Sequence, residues 1–277
     1  MAEVLAVGFF DGVHLGHRKI LEGATAALTF RNHPSEILSP ASKVPLLMPF
    51  GEKLEAIKAC GVGKVTALRF TKELADVSAA GFLEMIGGAK AIRCGANWRF
   101  GRGGEGDGAF LRRMGFEVEV VDYAEYDGVA VSSTRIREAI SNGALPDANS
   151  MLGRTWTLDG TVESGKGLGA RMGFPTVNIR LSDLSRILRS GVYEVSVAGE
   201  RAIANFGHAP TMGDKAWKER VLEVHFAGDV FDFSGDACRV GFVRFLRSEM
   251  KFDSIEALKA QIAADCRAVF GESHRGV

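Results

Sequence analysis

Two histidines three residues apart, His14 and His17, close the string Gly8-Phe9-Phe10-Asp11-Gly12-Val13-His14-Leu15-Gly16-His17. The string follows an apolar run and opens a helical pattern. Glycines let backbone come close to a phosphate, and a helix N-terminus offers free N–H groups and the positive end of a dipole. Gly16 leaves space for both imidazoles to face one ligand. Ring N–H groups placed there can donate to charge that develops on a phosphate. His14 and His17 with Asp11 could instead hold a metal, but a catalytic zinc site wants a third close ligand and a different helical spacing. In its strand-turn-helix setting, the string points to phosphate chemistry.

A second group of residues lies after position 160. Gly165, Gly169 and Gly173 sit in a glycine-rich stretch that would bring backbone close to phosphates. Thr176 and Asn178 follow it, and in extended chain they share one face. Their oxygens suit Mg²⁺, which takes few protein ligands besides phosphate; the same Pro-Thr-x-Asn could be a plain turn. Glu223, taken alone in an apolar run, reads as a solvated strand residue. Ser132-Ser133-Thr134 reads as an N-cap with a basic helix behind it.

The elements that must position these residues come in two patterns. In the first half, strands are expected at Val4 to Phe9, Ala26 to Phe30, Val65 to Phe70, Ala89 to Cys94 and Glu117 to Tyr123. Helices are expected at Leu15 to Gly23, Lys53 to Cys60, Ser78 to Ile86, Gly108 to Met114 and Ser133 to Asn142. Such alternation implies a parallel sheet covered by helices. From Trp156 the period becomes two, with strands at Thr157 to Val162, Val192 to Val197, Ala202 to Asn205, Val221 to Phe226 and Arg239 to Leu246. That pattern implies a small antiparallel barrel or sandwich. A last helix runs from Ser254 to Phe270. The boundary falls within 143–153, giving domains of 1–150 and 151–277.

The chain has 277 residues, with 34 Lys plus Arg against 34 Asp plus Glu. Zero formal charge argues against a general grip on nucleic acid or on an anionic membrane. No apolar run spans a bilayer, and the start carries neither a basic leader nor a long apolar stretch, so a cytoplasmic chain is expected. Cys60, Cys94, Cys238 and Cys266 are far apart, which favours free thiols over a disulfide framework or zinc cage. Oligomeric state is left open.

The first string resembles the H-x-G-H signature of the nucleotidyltransferase superfamily. Its surroundings resemble the bacterial bifunctional riboflavin kinase/FAD synthetase family through Thr29-Phe30-Arg31-Asn32-His33-Pro34, Gly95-Ala96-Asn97-Trp98-Arg99-Phe100-Gly101 and Val131-Ser132-Ser133-Thr134-Arg135-Ile136-Arg137. Gly160 to Asn178, Glu223-Val224-His225 and Arg247-Ser248-Glu249-Met250-Lys251-Phe252 resemble its kinase half. The resemblance implies a Rossmann-like α/β domain followed by a six-stranded antiparallel barrel. It also implies two reactions: ATP phosphorylates riboflavin to FMN, and ATP then adenylylates FMN to FAD with release of pyrophosphate. On this reading His14 and His17 contact the ATP phosphates together with Gly8, Phe9, Asp11 and Gly16. Ser133, Thr134 and Arg137 hold the triphosphate, and Asn97 lies near FMN. In the kinase half Glu223 is the general base, Thr176 and Asn178 hold Mg²⁺, Gly165, Gly169 and Gly173 line ATP, and Arg247 and Glu249 lie by the flavin.

The chain departs from the family in places. Arg31-Asn32 stand where Asp-Pro is usual, and only Arg18 to Ala27 separate His17 from Leu28-Thr29 of the second strand, so a helix of two turns is expected. Ala170 and Ala209 stand where the kinase usually has Arg, which favours, as an alternative, an adenylyltransferase with a weakened kinase domain. A flavin-binding protein without turnover is a further alternative. An aminoacyl-tRNA synthetase fragment, which would share H-x-G-H, is disfavoured by the neutral charge.

Overall fold

The computed structural model describes residues 3–163, 173–208, 220–228 and 237–271. It divides into two compact units, residues 1–135 with 151–153, and residues 136–150 with 154–277.

The first unit is built on a parallel sheet in the order β3-β2-β1-β4-β5. Its strands are β1 (Val4–Val7), β2 (Ala26–Phe30), β3 (Lys64–Leu68), β4 (Ala91–Gly95) and β5 (Glu117–Val121). Between them lie α1 (Leu15–Leu21), α2 (Ser35–Leu38), α3 (Phe50–Ala59), α4 (Lys72–Ala75), α5 (Ala79–Met85) and α6 (Gly108–Arg113). Alternate residues of each strand go to opposite faces, and both faces are covered. Leu5, Val7, Ala26 and Leu28 pack with Phe82, Ile92 and Leu111 on one side. Ala6 and Ala27 pack with Phe10, Leu21 and Ile57 on the other. Double burial is what makes these strands read as nearly continuous apolar runs. α1 has seven residues, the two turns expected from the short spacing. β1 ends at Val7 rather than Phe9, because the chain turns sharply there. Ser78 caps α5, its hydroxyl accepting from the Gly81 N–H at 3.1 Å.

A hairpin of β6 (Glu125–Tyr126) and β7 (Val129–Ala130) leads into α7 (Ser133–Asn142) and α8 (Leu145–Leu152). α8 occupies the segment expected to be a boundary. Its Pro146 sits in the first helical turn, where a missing N–H costs nothing. Leu145, Ala148, Met151 and Leu152 are buried at helical spacing.

In the second unit, β8 (Trp156–Glu163), β9 (Val177–Leu181), β10 (Gly191–Val197), β11 (Glu200–His208), β12 (Arg220–Phe226) and β13 (Ala237–Arg247) close into a barrel in the order β10-β11-β12-β9-β8-β13. Every pairing is antiparallel. Trp156, Leu158, Tyr193, Val195, Phe206, Leu222, Val224 and Phe242 are buried at period two along their strands. The sixth strand, β9, is the one the sequence pattern left out. The C-terminal helix Ile255–Phe270 begins at the cap Ser254, whose hydroxyl accepts from the Ala257 N–H at 3.1 Å. Cys266 and Val269 from this helix pack with Phe174, Val192 and Ile203.

Candidate active sites

In the first unit the sheet order reverses at β1: the chain runs outward through β2 and β3, then crosses back to β4. The crevice beyond the carboxyl ends of strands at such a switch point is where open parallel sheets take ligands. Gly8 to His17 leaves β1 at this point, and Gly95-Ala96-Asn97 leaves the adjacent β4.

The turn after β1 is strained. Phe10 has φ 58°, Gly12 φ 81° and Val13 φ 39°. A bulky or β-branched residue rarely adopts such values unless its surroundings enforce them. Here Phe10 and Val13 are buried in the core. Asp11 is 2% exposed, and its two carboxylate oxygens accept from the Leu47 N–H at 3.0 and 3.2 Å. Its carbonyl accepts from the Ser133 hydroxyl at 2.9 Å. The Asp11 side chain thus holds a loop, and its backbone ties the first motif to the start of α7.

His14 caps α1: its Nδ1 accepts from the His17 N–H at 3.3 Å. In the neutral ring that acceptor role puts the proton on Nε2, which becomes a donor. The His14 and His17 rings stack, with centroids 3.6 Å apart and planes 18° from parallel. A Cβ on Gly16 would lie 3.2 Å from His14 Cε1, so the glycine leaves room for the His14 ring. Ser132 caps α7 by accepting from the Arg135 N–H at 3.2 Å. Ser133 and Thr134 form the first turn of α7, and Arg137 stands one turn further along the same helix. The Arg135 guanidinium donates to the Tyr126 and Val129 carbonyls at 2.8 and 2.7 Å, which fixes the β6–β7 hairpin. Asn97 is exposed, and the neighbouring Trp98 stacks on Phe100 at 4.6 Å.

Asn32, a departure from the family pattern, has a structural use. Its amide donates to the Phe70 carbonyl at 3.0 Å and accepts from the Phe70 N–H at 2.9 Å. That reciprocal pair joins the chain beyond β2 to the chain beyond β3.

The first unit also holds a residue that sequence reasoning missed. Lys53, in α3, is 3% exposed. Its ammonium donates to the Phe30 carbonyl at 2.7 Å and to the Phe9 carbonyl at 3.1 Å. It also lies 3.9 Å from the centre of the Phe9 ring. Burial lowers its pKa from 10.5 to about 8, against the opposing pull of Asp11. The sequence signal was its place one turn before Ile57, on the buried stripe of the helix.

In the second unit, barrel register brings the candidates together. Glu223 of β12 lies directly opposite Asn178 of β9 on one side and Asn205 of β11 on the other. Asn178 in turn faces Glu163 of β8. Directly opposed residues share a face, so Asn205, Glu223, Asn178 and Glu163 form one polar row across four strands. Thr176 precedes Asn178 by two residues. The His225 ring lies 2.9 Å from the Pro175 carbonyl through Nδ1 and meets Phe174 edge-on, which fixes the segment that carries Thr176. Glu223 is solvent-accessible, yet surrounding atoms desolvate its carboxyl enough to raise its pKa above the ordinary Glu range. Asn205 and Glu163 are the row members that sequence reasoning did not single out.

Glu249 lies with its carboxylate against Gly207, where any Cβ would collide with it. Arg247 makes a two-pronged pair with Asp265 of the C-terminal helix, at 3.0 and 2.7 Å to Oδ2. Gly173 takes a left-handed φ of 88°. Gly165, Gly169, Ala170 and Ala209 lie outside the described residues. Those described contain no cluster of three or more His, Cys, Asp or Glu able to hold a metal.

A five-stranded parallel sheet with the H-x-G-H turn at its switch point, followed by a closed six-stranded barrel, defines a nucleotidyltransferase-type domain joined to a kinase-type barrel. The comparisons agree. The family model for FAD synthetase matches residues 1–135, and that for riboflavin kinase matches residues 152–270. The bifunctional riboflavin kinase/FMN adenylyltransferase of Listeria monocytogenes is 35% identical, covering 95% of this chain and 90% of its own. That of Escherichia coli K12 is 33% identical, covering 97% and 93%. A solved structure from Streptococcus pneumoniae, described as a macrolide-efflux protein, aligns with a TM-score of 0.86 at 28% identity over 98% of this chain and 95% of that one. Among the described residues no helix is long and apolar enough to cross a membrane. The chain belongs to the bifunctional riboflavin kinase/FMN adenylyltransferase family and carries both of its catalytic domains, with ATP as co-substrate of each.

Proposed function

We propose that residues 1–150 adenylylate FMN at the turn after β1 and that residues 151–277 phosphorylate riboflavin beside the polar row of the barrel. The observation that carries this reading is the register that sets Glu223 against Asn178, in a chain that also stacks His14 on His17.

In the barrel, Glu223 takes the proton of the ribityl 5′-hydroxyl as that oxygen attacks the γ-phosphorus of ATP. The bond from γ-phosphorus to the bridging oxygen breaks and ADP leaves. A raised pKa makes Glu223 a better proton acceptor than an ordinary glutamate. Thr176 and Asn178 offer neutral oxygens, with Glu223 in register beside Asn178, a donor set that suits Mg²⁺ and phosphate oxygens; the Glu163 carboxylate is engaged by the Arg180 guanidinium. When bound, Mg²⁺ would neutralise phosphate charge as the transferred group moves. Gly173, left-handed at φ 88°, brings backbone to the phosphates. Arg247 and Glu249 border the flavin, with Arg247 held in place by Asp265.

In the first unit, a phosphate oxygen of FMN attacks the α-phosphorus of ATP, and pyrophosphate leaves as the α–β bridge breaks. His14 and His17 donate ring N–H groups to phosphate oxygens, His14 through Nε2. Gly8, Phe9, Asp11 and Gly16 shape the turn through their backbone. Ser133 and Thr134, at the start of α7, and Arg137 along it, hold the triphosphate, and Asn97 contacts FMN. Catalysis in both sites is mainly positioning and electrostatic stabilisation. We place the chain in the cytoplasm, where ATP is at hand and its four free thiols stay reduced.

The test is chromatographic. Purified protein is incubated with ATP and Mg²⁺, with riboflavin in one tube and FMN in another. FMN and FAD from riboflavin, and FAD from FMN, are expected. FAD from FMN alone would leave the barrel without its kinase role.

A further inference from the structure

Lysine is almost never fully buried unless its charge is paired. The nearby Asp11 carboxylate favours the charge of Lys53, but among the described residues no carboxylate is hydrogen-bonded to it as Asp265 is to Arg247. Its acceptors are two main-chain carbonyls, and their positions are specific. Phe9 lies two residues beyond β1, inside the strained turn. Phe30 is the last residue of the adjacent parallel strand β2. Parallel strands present carbonyls at their carboxyl ends that the sheet does not satisfy. The Phe9 carbonyl takes a second donor as well, the Thr29 hydroxyl at 2.9 Å. Thr29 is fully buried. Two side chains from different elements thus converge on one carbonyl, immediately before the left-handed Phe10.

We propose that Lys53 is a positioning residue for adenylyl transfer: its ammonium ties the Phe9 carbonyl to the Phe30 carbonyl and so fixes the turn that presents His14 and His17. The proposal rests on the reading of that turn as the adenylyl-transfer site. A left-handed Phe10 and Val13 are costly conformations that surrounding structure must over-determine. The buried rings of the core hold the turn from one side. Lys53 of α3 and Thr29 of β2 hold it from another, through the carbonyl one residue before Phe10. The ammonium also lies over the Phe9 ring, which fixes that side chain against the same anchor. Lys53 touches no reacting atom on this account; it acts through Phe9.

The test compares the full chain with Lys53→Met, Lys53→Arg and Thr29→Val, and with the Lys53→Met/Thr29→Val double variant. FAD formation from FMN is measured under saturating ATP, and FMN formation from riboflavin by the same preparations serves as an internal reference. For Lys53→Met, a fall in kcat of about 100-fold is expected, as for a small misplacement of reacting groups, with KM for FMN changed by less than about threefold. The kinase rate is unchanged. Lys53→Arg, which keeps the charge and its donors, restores much of the loss. Thr29→Val alone costs less, and the double variant is non-additive because both residues act on one carbonyl. Proton NMR gives a readout independent of turnover: the Cε1 protons of the stacked His14 and His17 rings lose their ring-current shift in Lys53→Met. Should Lys53→Met fail to fold, Thr29→Val and Lys53→Arg carry the test, each with a graded loss of kcat and a graded shift. Folded variants with wild-type kcat and unmoved histidine resonances would overturn the proposal. A wild-type chain that makes no FAD would instead overturn the reading of the site, while the NMR comparison would still decide the role of Lys53.

Discussion

Glu223 and Asn178 lie directly opposite each other on adjacent antiparallel strands. That register places a proton acceptor beside a neutral oxygen donor without any loop to bring them together. It also makes the pair rigid, since β12 is bonded to β9 on one side and to β11 on the other. The pairing is therefore set by the barrel itself.

Removing the carboxylate while keeping its shape isolates the chemistry. Glu223→Gln is expected to lower the riboflavin kinase rate by about 10²- to 10⁴-fold, the usual worth of a positioned acid or base. FAD formation from FMN should be unchanged. Desolvation of the carboxyl by surrounding atoms raises the Glu223 pKa, so in the wild type the kinase is expected to lose rate on acidification at a higher pH than an ordinary glutamate would dictate. The acid limb of kcat/KM against pH should disappear in Glu223→Gln.

Asn178→Leu keeps the size of the side chain and removes its oxygen. The expected result is a rise in the Mg²⁺ concentration needed for half-maximal kinase rate, by about tenfold, as for loss of one hydrogen-bonded or coordinating contact of roughly 1.4 kcal/mol. Titration of the kinase rate with Mg²⁺ checks it. The FAD-forming reaction should keep its own Mg²⁺ dependence.

Lys53 links stability to pH. Its pKa falls from 10.5 to about 8 on folding, so the unfolded chain binds more protons between those values. Stability of the first unit therefore rises with pH across about pH 8 to 10.5, and the full penalty is present below that window. The difference amounts to about 3 kcal/mol. Urea unfolding of wild type and Lys53→Met at pH 7.5 and 10 should show the rise in the first and not in the second.

Arg247 and Asp265 are both largely shielded, at 19% and 9% exposure of their side chains. Arg247→Met would leave the Asp265 carboxylate buried without its guanidinium, a loss of about 3 kcal/mol for a buried pair. Removing both charges, in Arg247→Met/Asp265→Leu, should restore most of that stability in thermal unfolding. If Arg247 also borders the flavin, the double variant regains stability while its KM for riboflavin stays high.

The parallel sheet was legible because doubly buried strands such as Ala26–Phe30 leave an unbroken apolar run. The barrel was legible from period two in strands such as Gly191–Val197. β9 was passed over although Val177, Ile179 and Leu181 alternate with Asn178 and Arg180, because it is only five residues long and follows directly on a glycine-rich stretch that reads as loop. α8 was hidden by Gly143 and Pro146, which mark a loop in sequence but a helix end and a helix start in space. The histidine string was readable because local spacing sets its geometry. Lys53 and Asn205 were not readable as site residues, because their partners are 44 and 18 positions away. Only the paired strands reveal what each one faces.

The most direct measurement separates the two chemistries on one chain. His14→Asn keeps an acceptor that can cap α1 and removes the Nε2 donor, while Glu223→Gln keeps the barrel and removes the base. Each variant is given ATP and Mg²⁺ with riboflavin or with FMN, and the flavins are resolved by chromatography. His14→Asn should accumulate FMN from riboflavin and make no FAD; Glu223→Gln should make FAD from FMN and nothing from riboflavin. Loss of both reactions in either folded variant would contradict two independent sites.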